Sequence, residues 1–141
     1  MERGDISNKP APAIVIDIDN IIVEAPKITI SEKFGKRFDM SKMEVDFYKV
    51  NDKIYPLLER LFYRDISIYL FAHRPSWYKE ALEEKLEDLL FTRLYVGGIA
   101  KREALLRRQN VHWYYYNLPE HGSILSKEKE RRVEKWNQIS L

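Results

Sequence analysis

The stretch AIVIDIDN, residues 13–20, decides the fold. Ile14 to Ile18 form a short run of β-branched aliphatics with no polar face until the acids begin, the pattern of a strand buried on both sides of a parallel sheet. Two carboxylates, Asp17 and Asp19, then stand one residue apart at its carboxyl end.

Working outward, the same alternation of strand and helix repeats. Helical spacing at Ile54, Leu58, Leu61 and Phe62 predicts a helix ending near Asp65, with Pro56 in its first turn. Residues 66–72, ISIYLFA, read as a second buried strand, and Pro75 opens a helix with the apolar stripe Leu82, Leu86 and Leu89. Residues 92–96, TRLYV, form a third strand, Gly97-Gly98 a turn, 100–110 a basic helix carrying Leu105 and Leu106, and VHWYYY a fourth strand. The mixed charges of 126–137 read as a solvated helix. Residues 20–50, including the strand-like KITI, carry no single clear pattern. Strands and helices in this rhythm predict an α/β fold, a Rossmann-like parallel sheet with helices on both faces.

Composition narrows the class. The 141 residues suit one domain, 13–141, behind a loose arm at 1–12 that carries Gly4 and two prolines. There is no cysteine, so a disulfide, a thiolate metal site and a thiol nucleophile are all excluded, and a reducing cytoplasmic setting fits. A net charge of +2 permits an anionic partner without demanding one. No apolar run approaches the ~20 residues of a membrane span, so no membrane partner is expected.

In parallel sheets of this kind ligands collect at the carboxyl ends of the strands, where Asp17, Asp19, His73, Arg74 and Asn117 all fall. Two acids in D-x-D spacing there can bind a hard cation such as Mg²⁺, or divide the roles of nucleophile and proton carrier. They can equally be solvated acids that end a strand.

The order of the remaining pieces resembles the haloacid-dehalogenase-like (HAD) hydrolases. IVIDIDN resembles their first motif, IYLFAHRP sits where the second strand motif belongs, GIAKREALL supplies the third-motif lysine as Lys101, and HWYYYNLPE takes the place of the fourth. The resemblance runs from Ala13 to about Glu120. It implies a Mg²⁺-dependent phosphomonoester hydrolase: Asp17 would attack phosphorus and ligate the metal, and Asp19 would exchange the leaving-group proton. Lys101 would neutralise phosphate charge, and Asn117 would complete the metal site. Arg74, able to clamp a phosphate bidentately, and Asn20 are the implied substrate contacts. Roughly 35 residues between the first motif and the first clear helix leave no room for a large cap domain. The open site would then suit a nucleotide, a nucleic-acid end or a phosphoprotein.

Two positions depart from that pattern. Ala72 stands where the family has a hydroxyl, and losing such a donor costs about 2.7–4 kcal/mol of transition-state stabilisation. Asn117, followed by Leu118, stands where a metal-binding acid is expected, with Glu120 a constrained substitute behind Pro119. A rival reading is therefore a catalytically impaired member, a pseudophosphatase that acts as a binding or regulatory module with a protein partner. A third, a basic nucleic-acid-binding domain, draws on Lys101, Arg102, Arg107 and Arg108, though a solvated helix face accounts for them as well. His73 and His121 show no metal spacing. The run from Trp113 to Tyr116 could stack bases, but alternation on a strand sends most of it into the core.

Overall fold

The computed structural model of the chain describes residues 10–24 and 41–116, together with the backbone of 134–135. Asn117, Glu120, His121, the KITI segment and most of the arm lie outside the described residues.

The central strand is β1 (Ala13–Asp17), every residue of which is buried. Its alternation sends Ala13 and Val15 into one hydrophobic cluster and Ile14 and Ile16 into another, so the strand needs cover on both faces. Burying side chains of this size contributes about 1.5–3 kcal/mol each. A short antiparallel pair follows, β2 (Val23–Glu24) with β3 (Lys49–Val50), and between them lies α1 (Ser41–Asp46). Then come α2 (Ile54–Tyr63), β4 (Ser67–His73), a 3₁₀ turn at Ser76–Tyr78 leading into α3 (Lys79–Lys85), β5 (Arg93–Gly97), α4 (Ile99–Leu106) and β6 (Val111–Tyr115). The last strand, β7, is Glu134–Lys135.

The sheet runs β5-β4-β1-β6-β7, and all its pairs are parallel. Residues of α2 and α3 pack with Ile14 and Ile16, while Leu105 and Leu106 of α4 pack with Val15 on the opposite face. The architecture is thus Rossmann-like, with helices on both faces. Among the described residues nothing large enough for a cap domain separates β1 from α2. No helix among them is long and apolar enough to cross a membrane.

Three expectations need correcting. Phe62, placed on the buried stripe of α2, is exposed, whereas Ile54, Leu58 and Leu61 are buried and Leu57 packs beside them, because Phe62 falls at the edge of that stripe. The helix after Gly98 ends at Leu106, its last carbonyls capped by Arg107 and Arg108 amides, rather than running to residue 110. Residues 134–135, expected in a helix, pair instead with Trp113 and Tyr114. There they cover backbone groups that β6 would otherwise leave open as an edge, and alternating surface charges do not by themselves hold a segment helical.

Strand order reverses at β1. The chain runs from β1 outward through β4 to β5, then crosses back to β6 on the other side, so the switch point lies between the carboxyl ends of β1 and β6. A bulge shifts their pairing between Ala13↔Val111 and Ile14↔Trp113. Its extra residue puts Val111 and Tyr114, three apart, on the same face beside Val15.

Candidate functional site

Asp17 continues the Ala13 and Val15 face of β1, so its side chain enters the layer between the sheet and α4, where only 5% of the residue is exposed. The bulge brings Tyr114 to the same place. The Tyr114 hydroxyl lies 2.8 Å from Asp17 Oδ1 and 2.9 Å from Oδ2, donating its one proton between them. Arg102 Nη1 donates in turn to the Tyr114 oxygen at 3.3 Å, and its guanidinium lies 5.9 Å from the centre of the Phe71 ring. Burial is the largest influence on Asp17 and raises its pKa, while the Tyr114 hydrogen bond and the Arg102 charge lower it; the net result is a carboxyl pushed up to about 7 from 3.8. Burial first, and the Asp17 charge second, push the Tyr114 phenol above its ordinary value. Arg102 is itself buried, and its Nε and Nη2 have no hydrogen-bond partner among the described residues.

Asp19 belongs to a second network on the rim. Arg74 Nη2 donates to Asp19 Oδ1 at 2.9 Å, Arg74 Nη1 to the His73 carbonyl at 3.0 Å, and Arg74 Nε to the Tyr48 hydroxyl at 3.3 Å. The Tyr48 hydroxyl donates to Glu44 Oε2 at 2.9 Å, so α1 holds Arg74 in place through two side chains. Burial raises the Asp19 pKa, and Arg74 and His73 oppose it. For Arg74, burial lowers the pKa, but Asp19 and the Tyr48 hydrogen bond more than offset it.

The loop between the two networks is tight. The Ile18 carbonyl accepts from the amides of Ile22 at 2.9 Å and Val23 at 3.0 Å, and Asn20 turns through a left-handed φ of 68° that asparagine tolerates better than most residues. Asn20 is exposed at the mouth of the crevice.

The structure therefore brings Asp17, Asp19, Asn20 and Arg74 to one end of the sheet. Lys101 is held otherwise: its Nζ donates to the Val96 carbonyl at 3.0 Å, and the cation in the hydrogen-bonded chain to Asp17 is Arg102. Arg102 and Tyr114 are the residues that motif spacing passed over. Helical periodicity could have found Arg102, because it lies three and four residues before Leu105 and Leu106 and shares their buried face. Ala72 is buried in β4 with no polar atom to offer the crevice.

Of the Mg²⁺ ligands that the resemblance implies, only Asp17 and Asp19 lie among the described residues. Mg²⁺ takes six oxygens in an octahedral set, keeps several waters and is usually held by one or two carboxylates. Among the described residues no cluster of three or more Asp, Glu or His side chains forms. Of the two acids present, Asp17 faces a phenol and Asp19 is paired with a guanidinium.

The fold is similar to that of a chain in the solved structure of a Pnkp1/Rnl/Hen1 complex, with a TM-score of 0.64 and 14% identity over 89% of this chain. The aligned part spans 45% of that chain, so the sequence here corresponds to less than half of its neighbour's length. At that identity the likeness shows the fold alone. No protein-family model matches the sequence, and no curated protein matches it.

Proposed function

We propose that this chain is a HAD-like domain without phosphatase turnover, acting as a binding or regulatory module. One observation carries the reading: the carboxylate that would have to attack phosphorus is buried with both its oxygens against the Tyr114 hydroxyl. A nucleophile needs an accessible lone pair, and here burial and the Tyr114 hydroxyl cover both carboxylate oxygens. The Lys101 anchor on Val96, the Arg74 ion pair to Asp19 and the missing hydroxyl at Ala72 support the same reading.

The rival, a Mg²⁺-dependent phosphomonoester hydrolase, is favoured by the convergence of Asp17, Asp19 and Arg74 at the switch point. It requires Asn117 or Glu120 to complete a metal site. Melting curves with and without millimolar Mg²⁺ separate the two, since a cation that binds only the folded state stabilises it by mass action. The module reading predicts a melting temperature unmoved by Mg²⁺. A clear rise that disappears in Asp17→Asn would count against it.

A further inference from the structure

On the far side of the loop after β1 lies a cleft of about 370 Å³ that uses neither Asp17 nor Asp19. Asn20, Ile21, Lys53, Leu57, Tyr115 and Tyr116 line it, and it continues into a shallower depression over β2 and β3. We propose that this cleft binds a phosphorylated nucleoside unit, with the base against Tyr115 and the phosphate on Lys53.

The position favours a ligand. The cleft opens between the β1 loop and the end of β6, at the switch point where parallel sheets hold theirs. Its volume falls within the roughly 300–1,000 Å³ of small-molecule sites. Tyr114 is in the core, whereas Tyr115 and Tyr116 are half-buried and border the cleft, Tyr115 on the face that carries Ile21, Ile54 and Leu57. Those rings are held. Tyr115 packs against the larger core cluster, and the Tyr116 ring lies 4.7 Å from that of Tyr114 at an interplanar angle of 32°. A pre-set aromatic surface loses little freedom on binding and offers a face on which any base can stack.

The opposite wall is fixed as well. Asn51 Nδ2 donates to the Ile21 carbonyl at 3.1 Å and Asn51 Oδ1 accepts from the Lys53 amide at 3.1 Å, so one side chain clamps the β1 loop to the start of α2. The Lys53 side chain is exposed at that junction and makes no ion pair among the described residues. The Asn20 carboxamide, on the rim, carries both donors and an acceptor suited to a base edge. An aromatic floor, a cation at one end and an amide at the rim match the face of a base, a phosphate and the polar edge of that base.

The proposal names a ligand for the module described above and rests on that reading only for its role. The test is fluorescence anisotropy and calorimetry on the full chain, with two probes: a nucleoside monophosphate and a 5′-phosphorylated single-stranded octamer. Binding of either is expected. Saturable binding of the mononucleotide assigns a free nucleotide, and binding of the octamer alone assigns a strand end. Tyr115→Ala should weaken it by about tenfold, Tyr115→Phe should retain it, and Lys53→Ala should weaken it and flatten its salt dependence. An unchanged melting temperature in Lys53→Ala, and retained binding in Tyr115→Phe, separate lost contacts from lost folding. No binding of either probe at millimolar concentration, or binding indifferent to all of these substitutions, would overturn the cleft and leave the module reading intact. Turnover of a bound probe would overturn the module reading and leave the cleft standing.

Discussion

Replacing Asp17 with asparagine should stabilise the protein, and increasingly so as pH rises. Asp17 has a pKa of about 7 in the folded chain against 3.8 for an ordinary aspartate, chiefly because burial disfavours its charge. The folded state therefore binds this proton more tightly than the unfolded state. The resulting stability is fully present below pH 3.8 and is lost progressively as pH rises towards 7. At 1.36 kcal/mol per tenfold in affinity, the complete loss is roughly 4 kcal/mol, of which roughly 3 kcal/mol falls between pH 5 and pH 8. Asparagine keeps an acceptor oxygen for the Tyr114 hydroxyl and has no charge to desolvate. Urea unfolding of wild type and Asp17→Asn at pH 5 and pH 8 isolates this carboxyl, because every other titrating group is common to both. With an m-value of about 1–3 kcal/mol/M, the gap between the midpoints should widen by about one molar or more. A gap that stays constant across that range would refute the sequestered carboxyl.

Other perturbations test the surrounding structure. Tyr114→Phe should destabilise the fold by about 1–3 kcal/mol, because it removes a hydroxyl that joins Asp17 to Arg102 in a buried layer; thermal melts at pH 7 check it. A double-mutant cycle on Arg74→Ala and Asp19→Asn should give a coupling of only about 0.5–1 kcal/mol, falling with salt, since the ion pair keeps about a fifth to a quarter of its side-chain surface in water. Leu58→Ala, in the buried stripe of α2, should cost about 2–5 kcal/mol in urea unfolding. In Gly97→Ala the new Cβ would stand 2.6 Å from Lys101 Cδ, so Lys101 must swing aside and leave Val96, at a cost of about 1 kcal/mol measured the same way.

The parts of the fold that were legible are those where one-dimensional periodicity and burial agree. The run from Ile14 to Ile18 has the pattern of a strand covered on both faces, and Leu82, Leu86 and Leu89 are all buried, although the helix itself ends at Lys85. The site was less legible, because its chemistry depends on which face a residue takes. Arg102 rather than Lys101 joins Asp17, a choice set by the buried stripe of α4 rather than by motif order. Tyr114 reaches Asp17 only because a bulge in β6 changes the alternation, and no residue in VHWYYY announces that bulge. The Glu44, Tyr48 and Arg74 relay was hidden for another reason: Glu44 and Tyr48 lie in a stretch with no single period, and their contact with Arg74 spans at least 26 residues.

Phosphate release tests the central claim most directly. Purified chain with Mg²⁺, offered p-nitrophenyl phosphate, nucleoside monophosphates and phosphorylated oligonucleotides at pH 6 to 8, should liberate no more phosphate than Asp17→Asn does. Mg²⁺-dependent release from any of these substrates that Asp17→Asn abolishes would contradict it and restore Asp17 as a nucleophile.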